Sequence, residues 1–301
     1  MQRRYVTVDV FADRPFAGNP LAVVLDAEGL TTAQMQAIAR EFNYAETTFV
    51  LPPRDSSHTA HVRIFTPRSE LPFAGHPNVG TAFVLARARS GTDSVARFQF
   101  EEQAGVVPLE LVRERGQVVG AELTAPEALS VRSEFPTQHA AACLSLDASD
   151  IRIDGHAPIV VSVGLPFVVV EIKTREALRR ARPNLAAHAD TLPRDGADGI
   201  YLYTRDVTGS DSHADLEARM FAPLDGVIED PATGSATAAM AAFLAHLAPG
   251  ADAEAKLRFS QGVDFGRPSL LETRTVKRGG AVAAVHVRGR CVPIMEGRLE
   301  L

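Results

Sequence analysis

The chain has 301 residues, a net charge of -6 and an apolar fraction of 46%, values typical of a globular protein with one large or two medium domains. The acidic balance, without a basic stripe, argues against a nucleic-acid partner. Cys143 and Cys291 lie far apart without metal-like spacing, which argues against a disulfide framework and predicts no metal site. No signal-peptide core or run of 18 apolar residues appears, so we expect a cytoplasmic protein without a membrane partner.

The first elements in chain order are a strand, a Gly-x-Pro turn, a second strand and a helix. The N-terminal strand alternates, and the run GNPLAVVL at residues 18–25 follows as a β-branched strand. A helix is predicted from Thr31 to Phe42 because Thr31 and Gln34 fit a capping box. Its apolar face comprises Met35, Ile38, Ala39 and Phe42. Alternating runs then predict antiparallel strands at residues 47–51, 61–65, 96–102, 106–113 and 118–125.

The second part of the chain resembles the first at an offset of roughly 150 residues. Three pieces match in the same order, namely GNPLAVVL (18–25) with GLPFVVVEI (164–172), RIFTP (63–67) with RMFAP (219–223), and HPNVGTA (76–82) with DPATGSA (230–236). This order predicts an internal duplication. The two copies are joined near residues 125–136, where strand alternation breaks and Pro and Ser cluster.

The runs TAFVLARA (81–88) and SATAAMAAFLAHL (235–247) are apolar nearly all round, which is typical of helices buried on every side. We therefore predict an α+β fold with two similar halves related by a pseudo-twofold axis, each a mostly antiparallel sheet rolled around a central apolar helix. The N-terminal half spans 1–127 and the C-terminal half 128–301, with the last C-terminal strand as an alternative member of the N-terminal half. The active site is expected in the cleft between them.

The two paired motifs each suggest a helix start that could hold an anion. In His76-Pro77 and Asp230-Pro231, proline at the first helical position would give up an N–H that is unpaired there anyway. The remaining N–H groups and the helix dipole would favour a small carboxylate-bearing molecule. Structural roles stay open as well, because His76 could be a hydrogen-bonded core histidine and Asp230 an N-cap.

Glu46 is a third candidate. It lies between the amphipathic helix and a β-branched strand, with Tyr44 and Phe49 nearby. A carboxylate at a strand start among apolar neighbours is a candidate for a raised pKa and for proton transfer. The alternative is an ordinary exposed loop glutamate. The second half shows no clear counterpart, so a symmetric pair of bases is not expected.

Five stretches carry a resemblance to a known family: GNPLAVVLD, FNYAETTFVLPP, RIFTPRSELPFAGHPNVGTA, RMFAPLDGVIEDPATGSATAAM and QGVDFGRPS. They resemble the PhzF-like phenazine-biosynthesis isomerases, and the similarity runs from the N-terminal strand to GRLEL at the C-terminus. The resemblance implies a diaminopimelate-epimerase-like fold, an isomerase that needs no cofactor, and a homodimer. The best-known member of that family isomerises trans-2,3-dihydro-3-hydroxyanthranilate.

The resemblance also implies roles for named residues. Glu46 would be the acid/base, while His76 and Asp230 would position the substrate and assist proton transfer. The residues expected to bind the substrate are Asn19, Gly75, Gly234 and Ser235. Ala45 precedes Glu46 where the phenazine enzyme has serine, so a hydroxyl that could bond to the substrate is missing, and another small acid remains an alternative substrate.

Two other functions remain open. Racemases and epimerases related to this fold use two cysteines at the helix starts, whereas Cys143 and Cys291 fall outside the motifs. A non-catalytic metabolite-binding protein on the same scaffold is the alternative from another class. The presence of Glu46, His76 and Asp230 favours the isomerase.

Overall fold

A computed structural model describes residues 2–88, 95–208 and 213–301. The fold is mixed α+β and rich in strands. Its internal contacts divide the chain into two compact units. Unit 1 comprises Met1–Thr124 with Arg288–Leu301, and unit 2 comprises Ala125–Val287. Within the described ranges, no helix combines the length and the apolar character needed to cross a membrane.

Unit 1 alternates strands with two helices. Its elements are β1 (Gln2–Val10), β2 (Asn19–Val24), α1 (Thr32–Phe42), β3 (Glu46–Leu51), β4 (Ala60–Phe65), β5 (Glu70–Leu71), α2 (Gly75–Ala88), β6 (Arg97–Glu102), β7 (Gly105–Glu114) and β8 (Gln117–Thr124). The strand at the C-terminus, from Arg288 onward, pairs antiparallel with β1.

Unit 2 begins with a strand and a short helix. Its elements are β9 (Ser130–Glu134), α3 (Thr137–Leu144), β10 (Ile159–Ser162), β11 (Pro166–Glu171), α4 (Arg175–Arg180), α5 (Leu185–Thr191), β12 (Ile200–Thr204), β13 (Leu216–Ala222), β14 (Val227–Asp230), α6 (Gly234–Leu247), β15 (Ala253–Gln261), β16 (Ser269–Arg278) and β17 (Ala281–Glu300). Strand β17 belongs to unit 2 as far as Val287.

Strand pairing follows the same plan in the two units. In unit 1, parallel pairs join β2 to β3 and β4 to β6, while β1 with β2, β3 with β4 and β6 with β7 are antiparallel. In unit 2, parallel pairs join β11 to β12 and β13 to β15, while β10 with β11, β12 with β13 and β15 with β16 are antiparallel. The sheets are therefore mixed, and each parallel pair is joined by a connection that contains a helix.

The first helix confirms the sequence prediction closely. Thr31 is the N-cap of α1, and its side chain and that of Gln34 form a reciprocal capping box. Met35, Ile38 and Ala39 form the buried face. The helix ends at Phe42, and the left-handed φ of 53° at the following Asn43 is typical of a residue that stops a helix.

Helices α2 and α6 are buried on nearly all sides, as their apolar sequences predict. Every residue of α2 from Gly75 to Ala86 is buried, and the helix contacts β1, β2, β3, β7 and β8. Gly80 makes this close approach possible, because a Cβ there would lie 2.6 Å from Leu21 Cδ2 and 2.7 Å from Val10 Cγ2. In unit 2, α6 contacts β10, β11, β15 and β16.

The structure corrects the predicted alignment of the two helix starts. Helix α2 begins at Gly75, so Pro77 is its third residue rather than its first, whereas Asp230 and Pro231 precede α6, which begins at Gly234. The equivalent segments are therefore ELPFAGH (70–76) and EDPATGS (229–235), each a strand end, a short turn and a helix start. The pattern Pro-x-x-Gly occurs twice around the start of α2, at residues 72–75 and 77–80, and only the element boundaries show which copy corresponds to unit 2.

An Arg–Glu pair, partly buried in unit 1 and more deeply buried in unit 2, fixes the segment before the helix in each unit. Arg63 donates from Nε and Nη2 to the two oxygens of Glu70 at 2.7 and 2.6 Å. Arg219 donates in the same two-pronged way to Glu229 at 2.9 and 2.7 Å. Arg219 Nη1 also donates to main-chain carbonyls at the end of α4. These contacts tie β5 to β4 and β14 to β13.

We predict that Arg219→Met destabilises the protein by about 3–5 kcal/mol, because it leaves the Glu229 carboxylate buried without its cation. The side chains of Arg219 and Glu229 are only 5% and 10% exposed. Urea unfolding followed by circular dichroism measures the change. Arg97→Met is the matched control, since its pair with Glu110 is mostly exposed and its loss should cost about 1 kcal/mol or less. Equal effects of the two substitutions would contradict the prediction.

Candidate active site

Glu46 and His76 lie side by side in unit 1. Glu46 is the first residue of β3, opposite Leu21 of β2, and its side chain is 18% exposed. His76 is the second residue of α2 and is almost completely buried. Glu46 Oε2 and His76 Nε2 are 3.3 Å apart. Glu46 is therefore a partly buried strand residue, and its interpretation as an ordinary exposed loop glutamate is wrong.

Burial keeps the imidazole of His76 neutral. Burial lowers the pKa of His76 to about 3. The Glu46 carboxylate is close enough to stabilise an imidazolium, but the cost of burying the charged ring is larger than that stabilisation. Asn19 Nδ2 lies 3.3 Å from His76 Nδ1, and with this amide orientation Nδ1 accepts its proton. The ring proton is then on Nε2, facing Glu46. The pair is thus a neutral N–H donor beside a carboxyl group.

In unit 2, Asp230 is the last residue of β14 and is 7% exposed. Its Oδ2 accepts a hydrogen bond of 2.6 Å from Thr233 Oγ1. Thr233 is the N-cap of α6, so the interpretation of Asp230 as the N-cap is wrong. The reason is spacing, because an N-cap immediately precedes the first helical residue and Asp230 still belongs to the strand.

Gln261 holds the turn between Asp230 and α6, and the sequence analysis did not identify it. Its Nε2 donates to Asp230 O at 2.8 Å and to Thr233 Oγ1 at 3.0 Å, and its Oε1 accepts from Thr233 N at 3.1 Å. Gln261 is fully buried at the end of β15. A glutamine at the end of a buried strand is a signal that could have pointed to this contact, because a buried amide needs hydrogen-bond partners.

Gly75, Gly234 and Ser235, which the resemblance names as substrate-binding residues, lie at the helix starts. Gly75 is the first residue of α2 and Gly234 the first residue of α6, and both are buried. Ser235 is half-buried. Thr233 makes no side-chain capping bond to α6, and the first N–H groups of a helix have no acceptor within the helix itself. Such groups are suited to a carboxylate.

The same strand positions carry different side chains in the two units. Glu46 lies opposite Leu21 in the parallel pair of β2 and β3. Extending the register of β11 and β12 back by one residue from Val168 and Ile200 aligns Gly199, just before β12, with Phe167. His76 and Ser235 are each the second residue of their helix. Unit 2 therefore has no acid or base where unit 1 has Glu46, which agrees with the broken symmetry that the sequence predicts.

The two cysteines do not fit a thiol mechanism. Cys143 belongs to α3 and Cys291 to β17, and both are buried. Both are also distant in sequence from the starts of α2 and α6. Burial raises the pKa of both thiols. A thiol must lose its proton to act as a base, so these residues do not support the two-thiol racemase.

This chain is similar to known proteins over nearly its whole length. Residues 8–297 match the family described as phenazine biosynthesis-like protein. An uncharacterized isomerase of Mesorhizobium japonicum is 38% identical, covering 99% of this chain and 98% of that protein. The trans-2,3-dihydro-3-hydroxyanthranilate isomerase of Pseudomonas aeruginosa is 37% identical, covering 99% of both chains. The crystal structure of a PhzF-family protein of Bacillus anthracis superposes with a TM-score of 0.89 at 25% identity and covers all of both chains.

We predict that His76 stays neutral throughout the physiological pH range. Because its pKa is lowered to about 3, the 15N signals of its ring should show no titration between pH 8 and pH 5. Nuclear magnetic resonance of histidine-labelled protein measures this. The same protein unfolded in urea is the control, since its histidines should titrate near pH 6.5. A folded-state His76 signal that titrates between pH 5 and 8 would show that burial does not control its charge.

Proposed function

We propose that this isomerase, which belongs to the phenazine biosynthesis-like (PhzF) family, moves a proton between two carbons of a small carboxylic acid with Glu46 as the acid/base. The substrate is trans-2,3-dihydro-3-hydroxyanthranilate or another small acid of that kind. The Pseudomonas aeruginosa relative carries the name of that reaction. The reaction needs no cofactor in this proposal.

The observation that carries the proposal is the placement of Glu46 beside a neutral histidine. Glu46 is partly buried, yet 18% of its side chain remains accessible, so a substrate can reach it. His76 can donate a hydrogen bond from Nε2 without being an acid strong enough to protonate Glu46.

In the proposed reaction, the Glu46 carboxyl group acts first as a base and then as an acid. As a carboxylate, Glu46 takes a proton from a carbon next to a conjugated system, and the resulting negative charge spreads over that system. As a carboxylic acid, Glu46 then returns the proton to a different carbon. Gly199, the structural equivalent in unit 2, carries no acid, which supports a single base over two opposed ones.

The polar residues of unit 2 enter the proposal as substrate-binding groups. Asp230 is oriented by Thr233 and by the clamp of Gln261. Its carboxylate would accept a hydrogen bond from an amino or hydroxyl group of the substrate and assist proton transfer. The N–H groups at Gly75, Gly234 and Ser235 would bind the substrate carboxylate.

We infer that the two units are copies of one ancestral half of a diaminopimelate-epimerase-like fold, each with its sheet around a central helix. The support is the shared order of parallel and antiparallel pairs, together with 14-residue central helices in both units.

The first test is exchange of solvent deuterium into trans-2,3-dihydro-3-hydroxyanthranilate during turnover. Glu46→Gln should lower the exchange rate at least about 100-fold, because an amide cannot take or return the proton. Mass spectrometry of substrate and product measures the label. Glu41→Gln is the matched control, since Glu41 is exposed near the end of α1 and its loss should leave the rate unchanged.

Exchange at the wild-type rate in Glu46→Gln would disprove the assignment of this acid/base. If wild-type protein does not act on this compound, the same assay on a panel of small amino and hydroxy acids identifies the substrate. The effect of Glu46→Gln is then measured on the acid that exchanges.

A separate substitution tests the contribution of unit 2. Asp230→Asn keeps the size of the side chain and removes its charge, so kcat/KM should fall roughly 10- to 100-fold, equivalent to about 1.4–2.7 kcal/mol of transition-state stabilisation. Asp154→Asn is the control, because Asp154 is exposed. Steady-state kinetics with equal values for Asp230→Asn and wild type would exclude Asp230 from the reaction.

A further inference from the structure

Unit 1 contains a cavity with a volume of about 570 Å³ between the C-terminal half of α2 and the strands β1 and β17. Every residue that lines this cavity belongs to unit 1. The volume lies within the range of roughly 300–1,000 Å³ that is usual for small-molecule sites. The cavity therefore has room for a ligand of that size.

The cavity is separate from the pair of Glu46 and His76. His76 is the second residue of α2, whereas Arg87, which lines the cavity, follows it by eleven residues. At 1.5 Å per residue, this spacing puts the two backbone positions about 16 Å apart along the helix. The cavity is therefore a candidate site for a ligand other than the substrate of the proposed reaction.

Arginines line the cavity from two sides. Arg4 of β1 and Arg298 of β17 lie directly opposite each other in the antiparallel ladder, and like charges in such a cross-strand pair destabilise a sheet. Asp26 compensates Arg4 through hydrogen bonds of 2.8 and 3.3 Å. Arg298 donates to a neutral amide oxygen, Gln2 Oε1, at 3.0 Å. Among the residues that the structure describes, the charge of Arg298 therefore has no acidic partner.

Arg87 brings a second guanidinium group from the helix side. Its Cζ lies 5.4 Å from the ring centroid of Phe83, a cation–π contact that leaves the positive charge in place. Arg87 forms no ion pair with a residue in the described ranges. Glu296 is the acidic residue of the lining, and it lies opposite Val6 rather than opposite an arginine. Positive charge therefore exceeds negative charge around the cavity.

Apolar side chains form the inner wall of the cavity. Phe83 and Val84 of α2 are 2% and 3% exposed, and Leu25, just after β2, lines the cavity as well. The Arg4 side chain is 60% exposed, and Arg298 is also exposed, so the charged groups lie towards solvent. A buried apolar wall with a few charged groups near solvent is typical of sites for small organic molecules.

We propose that this cavity binds a small organic oxyanion, which is a carboxylate or phosphate carried on an apolar body. Arg87 and Arg298 take the anionic group, because a planar guanidinium group forms paired hydrogen bonds to the oxygens of carboxylates and phosphates. The apolar body lies against Phe83 and Val84. The bound anion also relieves the repulsion between Arg298 and Arg4.

The test is a titration of the full-length protein with phenyl phosphate, followed by nuclear magnetic resonance of labelled methyl groups. The methyl signals of Val84 and Leu25 should shift saturably, while those of Leu21, which lies opposite Glu46, should stay in place. Arg298→Met should raise the Kd at least about 10-fold, because it removes a charged hydrogen-bond donor. Arg68→Met is the matched control, since Arg68 is an exposed arginine of unit 1 outside the cavity lining.

Three further probes test the two parts of the ligand. Benzyl alcohol keeps the ring without the charge, and inorganic phosphate keeps the charge without the ring. Both should bind at least about 10-fold more weakly than phenyl phosphate, because each lacks one of the two contacts. Benzoate against phenyl phosphate shows whether the site prefers a carboxylate or a phosphate. Equal affinity for inorganic phosphate and phenyl phosphate would overturn the proposal, since the apolar wall would then contribute nothing.

Stability measurements separate a binding role of Arg298 from a structural one. Without ligand, Arg298→Met should not lower the Tm, because it removes the like charge opposite Arg4. Phenyl phosphate should raise the Tm of wild type and have a smaller effect on the variant. A lower Tm for unliganded Arg298→Met would make the arginine a structural residue and overturn the proposal.

A second substitution tests the charge balance of the lining. Glu296→Gln should bind phenyl phosphate roughly 2- to 5-fold more tightly, because it removes a negative charge that repels the ligand. The same methyl titration measures this change. Weaker binding in Glu296→Gln would contradict the charge balance on which the proposal rests.

The outcomes separate this inference from the proposed function. Glu46→Gln should bind phenyl phosphate with the wild-type Kd, and Arg298→Met should exchange solvent deuterium at the wild-type rate. If the probe shifts the signals of Leu21 and leaves those of Val84 unchanged, the cavity is not the site and only this inference fails. If the Val84 signals shift as expected but Glu46→Gln retains exchange, the anion site stands and the acid/base assignment fails.

Discussion

The arrangement of each unit depends on a two-pronged Arg–Glu pair that is shielded from solvent to a large extent. Arg63 with Glu70, and Arg219 with Glu229, bind a strand to the short strand that precedes the central helix. Two parallel N–H···O bonds define both distance and orientation, so the following turn starts from a fixed point. In unit 2, Asp230 follows Glu229 directly and takes its position from that pair. The same clamp thus serves the fold and the candidate site.

The two units show how one backbone plan can carry different chemistry. The strand position that holds Glu46 in unit 1 holds Gly199 in unit 2. The second residue of the helix is His76 in one unit and Ser235 in the other. The two units have matched helix starts, while the side chains at equivalent positions differ.

Burial, rather than charge pairing, decides protonation in unit 1. His76 is neutral because its surroundings do not solvate an imidazolium, and Glu102 keeps its proton for the corresponding reason. Glu101, one residue away from Glu102, is charged because backbone and side-chain donors satisfy it. The neutral His76 therefore adds no competing charge beside Glu46.

The sequence by itself determined helix α1 with its capping box, the buried character of the central helices and the set of candidate residues, because capping, periodicity and repeated motifs are local signals. Tertiary structure alone decided three other matters. It selected Gly75 rather than His76-Pro77 as the start of α2, since two Pro-x-x-Gly patterns compete there. It made Thr233 the N-cap in place of Asp230. It also set the charge of His76 and Glu102, because desolvation depends on atoms that are distant in the chain.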